Sequence, residues 1–366
     1  MRSGNGRGGV AKAFRCAGRV DMVSIAAVMI AKNEVRCITR ALDSIRPHVD
    51  AMIVLDTGST DETIACAQKA GAAVYSFPWC DDFSKARNAA LDHSPARWNL
   101  IIDADETLVS GGEHLRSLAS DPPSFVGAVA MESHYTHEGN THSVRNWLTR
   151  LLPKSVRYAG RVHEQPIHAF PVKHVPLYFA HDGYLPEQHV HKRGRNEILL
   201  KAELQQSPDD AYLHYQLGKE YEIDHHYAQA SACYGTALET SGSVIEAWHR
   251  DLVVRQLFCL KNTKAFPVAL DLAAQWENNL HDIPDYHFVL GDIYLDLALL
   301  QPDLADTLLP MIEAHWLKCL EIGERPDLDG CVMGRGSSLA QHNLHIFYES
   351  LGLHDKAQRF HKLDPQ

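Results

Sequence analysis

The sequence predicts an α/β domain with a mostly parallel sheet, followed by an all-α domain of helical repeats. In the first half of the 366-residue chain, short apolar runs alternate four times with helical patterns, which is typical of a parallel sheet covered by helices on both faces. In the second half, small and aromatic residues recur at the spacing of stacked helix pairs. A chain of this length is also expected to form two domains.

The apolar runs at 23–30, 52–55, 72–77 and 98–102 predict four strands. The intervening segments predict helices through Ile38, Leu42 and Ile45, from about 62 to 70, and from 83 to 91. Because the carboxyl ends of parallel strands meet at one edge of a sheet, the polar residues that follow these strands are expected to lie close together.

A polar turn follows the second strand. Asp56 ends the strand, Gly58 permits a tight turn, and Ser59 or Thr60 can cap the next helix. A helix N-terminus there favours an anionic or ribose-bearing ligand, although capping alone also explains Ser59, Thr60 and Asp61. Asp56 is harder to explain by capping, because a carboxylate at a strand end has no orphan amide of its own to satisfy.

Three carboxylates, Asp103, Asp105 and Glu106, follow the buried fourth strand. Two carboxylates one residue apart can converge on one hard cation, and Mg²⁺ or Mn²⁺ bound in this way commonly bridges to substrate phosphates. A solvated acidic turn is the alternative for an isolated D-x-D pattern. The polar ends of the preceding strands favour the metal site.

Four motifs in order carry a family resemblance: V-M-I-A-K-N-E (28–34), D-T-G-S-T-D-E-T (56–63), F-P-W with D-D-F-S-K-A-R-N (77–88), and D-A-D-E (103–106). Over roughly residues 23–184 the chain resembles GT-A-fold glycosyltransferases of family 2. The resemblance is closest to the branch with lipooligosaccharide β-1,4-glucosyltransferases and bacteriocin S-glycosyltransferases. It implies transfer of a hexose, glucose first, from a nucleotide diphosphate sugar such as a UDP-sugar, with Mn²⁺ or Mg²⁺.

The resemblance also implies a nucleotide-binding role for several residues. Glu34 and Asp56 are expected to hold the base and ribose, and Asn33 and Gly58 to shape that pocket. Arg87, on the exposed face of its helix, is expected near the diphosphate, because a guanidinium fork suits phosphate oxygens. The alternative for Arg87 is a surface ion pair with the neighbouring aspartates, Asp81 or Asp82.

Metal binding and catalysis are implied for a second set of residues. Asp103 is expected to touch ribose or metal, and Asp105 to bind the metal, which offsets charge on the departing nucleoside diphosphate. An inverting transfer needs a general base. Glu164 fits, because it lies in the family's R-[VI]-H-E element. His163 and His181 both qualify as a further metal ligand or diphosphate contact, and a structural imidazole is the alternative for either.

Other candidates on the acceptor side of the site are Arg145, Trp147, Arg150, Tyr158, Arg161 and Tyr184.

The second half predicts tetratricopeptide-like repeats. The repeat positions are Leu217, Gly218, Tyr221, Ala230, Tyr234, Ala237, Leu290, Gly291, Tyr294, Trp316, Cys319, Leu344, Tyr348 and Ala357. These residues are interpreted as packing residues without chemistry. Such arrays form concave surfaces that bind other chains, which favours a protein or peptide acceptor, with a glycan acceptor still open. The repeats could instead form a homodimer or brace the catalytic half.

The expected divisions are a disordered segment at 1–22, a GT-A domain at 23–190 and a repeat domain at 191–366. Met22 is a hypothetical biological start, which mass spectrometry would exclude by finding residues 1–21 in the native protein. No apolar run approaches the roughly 18 residues of a membrane span. Eight scattered cysteines without a C-x-x-C pair favour reduced thiols and a cytoplasmic protein.

The leading hypothesis is therefore a metal-dependent, inverting glycosyltransferase. The second is a catalytically silent repeat scaffold whose first domain only binds nucleotide. A modified nucleobase as acceptor is a third possibility, but the formal net charge of -11 disfavours nucleic acid as a partner, because backbone binding depends on Lys and Arg.

Overall fold

The computed structural model describes residues 24–118, 122–137, 140–181, 194–242 and 244–361. The segment expected to be disordered, the hypothetical start at Met22, the candidate Tyr184 and the boundary expected near residue 190 lie outside the described residues. Described residues 24–181 are called the sheet region below, and described residues 194–361 the helical region.

The strands of the sheet region are β1 (Ile25–Ala31), β2 (Ala51–Asp56), β3 (Ala73–Ser76), β4 (Trp98–Ile101), β5 (Glu106–Ser110), β6 (Val126–His137), β7 (Asn140–Pro153), β8 (Arg157–Ala159), β9 (Gln165–Ile167) and β10 (Val172–His181). Its α-helices are α1 (Ile38–Ile45), α2 (Thr63–Lys69), α3 (Phe83–Asp92) and α4 (Leu115–Leu118).

The first four strands form the predicted parallel sheet, in the order β3-β2-β1-β4. Helices α1 and α2 pack on one face, where Ile38, Leu42 and Ala67 are buried against the strands. Helix α3 packs on the other face through Ala86 and Ala90. The predicted α/β class is confirmed, because apolar helix faces cover both sides of the mostly apolar, buried strands β1, β2 and β4.

The sheet continues beyond β4 in the order β7-β6-β10-β5, with β7 antiparallel to β4 and β6. Strand β5, which the sequence analysis did not predict, begins at Glu106 and pairs with β10 at the edge. The β6–β7 register changes by one residue: Gly127 pairs with Leu151, and Ala128 pairs with Thr149. Arg150 is therefore the extra residue of a β-bulge, a feature that redirects a side chain.

The helices of the helical region are α5 (Arg195–Leu204), α6 (Ala211–Ile223), α7 (Tyr227–Thr240), α8 (Ala247–Asn262), α9 (Phe266–Leu280), α10 (Pro284–Leu300), α11 (Ala305–Ile322), α12 (Ser338–Ser350) and α13 (His354–Gln358). Consecutive helices pack against each other, as the repeat pattern predicts. A two-residue strand, β11 (Cys331–Val332), lies between α11 and α12 of the helical region and pairs with β7 of the sheet. This pairing was not predicted.

Small residues of the repeats lie where aromatic rings pack. A Cβ added to Gly218 would lie 2.3 Å from the Tyr234 ring, and one added to Gly291 would lie 2.4 Å from the Trp316 ring. These distances are too short for any side chain, so the repeat glycines are packing residues, as predicted.

Within the described residues, no helix combines the length and apolar character needed to cross a membrane.

Candidate functional site

The carboxyl ends of β1, β2 and β4 place the predicted polar residues at one edge of the sheet. Asn33 and Glu34 follow β1, Asp56 ends β2, and Asp103 follows β4. Because β1 pairs in parallel with both β2 and β4, these three strand ends are neighbours. In open α/β sheets this edge is where ligands bind.

The turn after β2 is built by hydrogen bonds from its own side chains. The Asp56 carboxylate accepts from the backbone N–H of Gly58 at 3.0 Å and of Ser59 at 3.1 Å. The expectation that Asp56 has no amide to satisfy was wrong, because Gly58 adopts φ +108° and turns these amides back toward the carboxylate. Asn33, itself left-handed at φ 57°, accepts from Thr60 N–H at 2.8 Å.

Glu34 is held by the neighbouring helices. Its backbone N–H donates to Thr63 Oγ1 at 2.7 Å, which ties the end of β1 to the first turn of α2. The Cys37 thiol donates to Glu34 Oε2 at 3.1 Å. Burial, and after it the hydrogen bond to Glu34 and the charge of Glu34, raise the pKa of Cys37 far above its usual value, so this thiol stays protonated and remains a donor.

Arg87 is buried rather than exposed, which corrects the expectation from the sequence. It lies beside Ala86, on the side of α3 that packs against the sheet. Arg87 Nη2 donates to Asp103 at 2.9 Å, and Arg87 Nε donates to Glu164. The suggested ion pair with Asp81 or Asp82 is not the one formed. Asp82 instead caps α3 and accepts from Lys85 N–H at 2.9 Å.

A second arginine completes this cluster. Arg150 Nη2 lies 2.8 Å from Asp103 Oδ2 and 2.9 Å from Glu106 Oε1. The bulge in β7 accounts for the direction of Arg150, which periodicity alone did not indicate. Glu106 Oε2 also accepts from Asp103 N–H at 2.8 Å, so Glu106 supports the turn that carries the D-x-D motif.

The titration of these buried groups follows from their partners. Burial alone would raise the pKa of Asp103, but Arg150 and Arg87 outweigh it and hold that pKa well below the usual range. Burial raises the pKa of Glu106, and Arg150 offsets this only in part. Asp103 therefore stays ionised throughout the neutral range.

Two buried polar atoms of the cluster have no hydrogen-bond partner among the described residues: Arg87 Nη1 and Tyr158 Oη. The Arg87 guanidinium carbon lies 5.6 Å from the centre of the Tyr158 ring. Burial raises the pKa of Tyr158 to about 12, so its hydroxyl is a neutral donor. Since buried polar groups are nearly always paired, these two donors suit an acceptor-rich anionic ligand.

The two candidate histidines face different parts of the molecule. His181 Nε2 lies 3.4 Å from Asp105 Oδ2, and His181 Nδ1 lies 3.4 Å from Ser133 Oγ. His163 lies 3.6 Å from Glu220 of α6. The structure therefore brings His181, rather than His163, to the D-x-D motif.

The donor set at this motif fits a divalent cation that is completed by substrate. In the described parts of the chain, no group of three His, Cys, Asp or Glu side chains could hold a metal ion. Two arginines engage Asp103, and Asp105 and His181 lie side by side as an oxygen donor and a nitrogen donor. Mg²⁺ and similar ions are often bound by one or two protein ligands together with substrate phosphates.

Two acceptor-side candidates lie on β7 toward the helical region. Trp147 N–H donates to Asp329 at 2.9 Å, and its indole N–H donates to the Pro326 carbonyl at 2.9 Å. Trp147 also lines a cavity of about 240 Å³ between the sheet and the helical region, and Arg145 pairs with Glu132 at 3.0 Å. Local sequence patterns do not indicate this junction, because its partners lie far apart along the chain.

Comparisons with known proteins identify the first part of the chain. Residues 26–157 match the model of a family described as glycosyl transferase family 2. The chain is 34% identical over 215 residues to a TPR repeat-containing protein of Synechococcus elongatus, an alignment that covers 54% of this chain and 52% of that protein. It is 29% identical over 214 residues to the SPbeta prophage-derived glycosyltransferase SunS of Bacillus subtilis, with 56% of this chain and 50% of SunS covered.

The chain thus spans about half the length of these relatives. Among solved structures, it is similar to the glucosyl-3-phosphoglycerate synthase of Mycobacterium tuberculosis in complex with Mn²⁺, uridine diphosphate and glucosyl-3-phosphoglycerate. That similarity has a TM-score of 0.25 and 27% sequence identity, and it covers 32% of this chain and 45% of the other.

Proposed function

Residues 26–157 form a glycosyl transferase family 2 domain, and from this premise we propose that the chain is a metal-dependent, inverting hexosyltransferase. Its donor is a nucleotide diphosphate sugar, with UDP-glucose the first candidate. Its acceptor is a protein, a peptide or a saccharide. The catalytic domain corresponds to residues 23–190 and the repeat domain to residues 191–366.

The cluster around Arg87 is the observation that carries this proposal. Arg87 pairs with Asp103 and Glu164, yet its Nη1 has no partner among the described residues. A diphosphate oxygen placed against Nη1 would satisfy this buried donor, and charge-assisted hydrogen bonds of this kind are among the strongest in proteins. Glu34, Asp56, Asn33 and Gly58, at the neighbouring strand ends, would receive the nucleoside.

Asp105 and His181 would hold the divalent cation, with the diphosphate supplying further oxygens. When bound, such a cation supplies Lewis-acid stabilisation of the leaving diphosphate. Asp103 is better suited to ribose or to fixing Arg87 and Arg150, because two guanidinium groups already engage it.

Glu164 would act as the general base. The acceptor oxygen or sulfur attacks the anomeric carbon of the sugar, the bond from that carbon to the diphosphate oxygen breaks, and the acceptor proton passes to Glu164. The electron pair of the broken bond leaves with the nucleoside diphosphate. Arg87 donates to Glu164 and so fixes the orientation of this carboxylate before substrate binds.

A donor-hydrolysis assay tests the proposal. The full chain is incubated with a panel of nucleotide sugars and Mn²⁺, and release of nucleoside diphosphate is measured. We expect one donor to be preferred and hydrolysis to stop when the metal is chelated. Asp105→Ala should lower the hydrolysis rate at least 100-fold.

Asp92→Ala is the matched control, because Asp92 is an exposed aspartate at the C-terminal end of α3 that pairs with Arg157 at 2.9 Å. Its hydrolysis rate should equal that of the unaltered chain. Failure of every donor to bind or to be hydrolysed would contradict an enzymatic role and leave the scaffold hypothesis.

A further inference from the structure

The general base proposed above lies on a short irregular segment between β8 and β9. Residues 160–164 form no strand, and the chain turns sharply through positive φ at Gly160 (95°) and at His163 (51°). A non-glycine residue in this conformation is uncommon and persists where surrounding contacts determine it. The position of Glu164 therefore depends on what holds this base-carrying segment.

Glutamates of the helical region hold the base-carrying segment through polar contacts. Arg161 N–H donates to Glu203 Oε1 of α5 at 2.9 Å. His163 Nε2 lies 3.6 Å from Glu220 Oε1 of α6, and Asn196 donates to the same oxygen at 3.0 Å. Burial alone would raise the pKa of Glu220, but the nearby His163 ring and the hydrogen bond from Asn196 keep it below its usual value, so Glu220 stays ionised.

The helical region also packs against the base-carrying segment. Val162 is buried in a cluster with Leu199 and Leu200 of α5 and with Leu213 and Leu217 of α6.

On its other side, the segment is tied to α3, because Phe83 N–H donates to the Arg161 carbonyl at 2.8 Å. Helix α3 carries Arg87, which in turn contacts Glu164. The base-carrying segment thus connects α5 and α6 to Arg87 and Glu164, the two groups around which the reaction is proposed to occur.

We propose that the helical region positions the general base, with Glu203 and Glu220 acting as positioning residues for Glu164. This inference rests on the proposed function. Neither glutamate touches the reacting atoms. Glu203 fixes the main chain at Arg161, Glu220 fixes His163, and together they set the direction in which the next residue, Glu164, projects.

The test compares Glu203→Ala with Glu203→Gln. An amide oxygen accepts the Arg161 N–H as the carboxylate does, so Glu203→Gln should retain the contact and Glu203→Ala should lose it. We expect kcat of Glu203→Ala to fall about 10-fold, because a small displacement of a catalytic group is costly, while the donor KM changes less than about twofold. Glu203→Gln should restore kcat to within about twofold of the unaltered chain.

Two further readouts do not depend on turnover. Amide hydrogen exchange in residues 158–166 should be faster in Glu203→Ala than in the unaltered chain or in Glu203→Gln. Affinity for UDP with Mn²⁺, measured by calorimetry, should be unchanged in both variants. Glu197→Ala is the matched control, since Glu197 lies on the same helix and pairs with Lys201 at 2.6 Å, and it should behave as the unaltered chain.

Normal kcat in Glu203→Ala, or a Glu203→Gln variant as impaired as Glu203→Ala, would overturn this inference while leaving the glycosyltransferase proposal intact. Equal loss of kcat and UDP affinity in Glu203→Ala would also overturn it, because that result indicates general damage to the site. An unaltered chain that neither binds nor hydrolyses any nucleotide sugar would overturn both proposals.

Discussion

The sheet and helical regions each contain a partly buried arginine cluster, and the two clusters differ in how completely their buried polar atoms are paired. In the helical region, Arg255 lies 2.6 Å from Asp251 and 3.0 Å from Glu222. Tyr215 and Tyr234 donate their hydroxyls to the same two carboxylates, at 2.5 and 2.6 Å. None of these side chains has a buried polar atom without a partner among the described residues.

In the sheet region, Arg87 and Tyr158 each keep one such unpartnered atom. A buried polar group without a partner costs about 1–3 kcal/mol, so a protein that retains two of them beside an ion cluster gives up stability there. Residue type alone therefore does not separate the clusters. The cluster whose buried polar atoms are all paired has no proposed ligand, and the incompletely paired cluster is the one proposed to bind a ligand.

The largest expected effect comes from changing each arginine to lysine. Arg87→Lys keeps a charge but cannot serve Asp103, Glu164 and a phosphate together, because an ammonium lacks the planar fork. We expect kcat/KM for donor hydrolysis to fall about 10²–10³-fold. Arg255→Lys should instead lower the free energy of unfolding by about 2 kcal/mol and leave kcat/KM of the folded fraction within about twofold.

Hydrolysis kinetics and urea unfolding of both variants check this contrast. The distinction between the clusters fails if Arg255→Lys loses activity as Arg87→Lys does, or if Arg87→Lys only unfolds more easily.

A smaller effect, on stability alone, is expected from a substitution that changes only the packing of the helical region. Gly218→Ala would place a methyl group 2.3 Å from the Tyr234 ring, and overpacking of this kind costs about 1–3 kcal/mol. Thermal unfolding should show a lower Tm, while UDP affinity measured below Tm should not change. Altered UDP affinity would show that the repeat packing reaches the nucleotide site more directly than the contacts indicate.

The smallest effect concerns Asp292 of α10, whose pKa burial raises to about 6. The folded pKa exceeds the usual value near 4, so ionisation opposes folding, and stability should fall as pH rises from about 4 to about 6. Asp292→Asn removes this cost. We expect it to stabilise the chain at pH 7 by about 1 kcal/mol, because loss of the pair with Lys261 offsets part of the gain, and to have no effect below about pH 4.

Unfolding curves of the Asp292→Asn variant at pH 4 and pH 7 provide the measurement, with donor hydrolysis as the control. Stabilisation of equal size at both pH values would show that Asp292 acts through its shape rather than its charge. Unlike Asp103, which two arginines keep ionised, Asp292 is a titratable group of the helical region without a proposed role in the reaction.

Local sequence patterns predicted the elements of the fold and the family of its first domain. The first four strands and their helices were recognised because each has its own apolar periodicity, and the repeat glycines because each must meet an aromatic ring. The match of residues 26–157 confirms the family resemblance.

Contacts between residues far apart along the chain could not be predicted from local sequence patterns. The burial of Arg87 depends on Glu164, which lies 77 residues away, and the direction of Arg150 depends on a bulge that has no signature in the sequence. The pairing of β11 with β7 joins residues from the two regions through only two positions. The roles assigned to Glu34, Asp56, Asp105, His181 and Glu164 stay predictions.

Calorimetric titration of UDP into the full chain, with and without Mn²⁺, tests the central claim most directly. We expect binding that requires Mn²⁺, that weakens at least 100-fold in Arg87→Lys, and that is unchanged in Arg255→Lys. Binding of equal strength in all three proteins, or no binding in the unaltered chain with Mn²⁺ present, would contradict it.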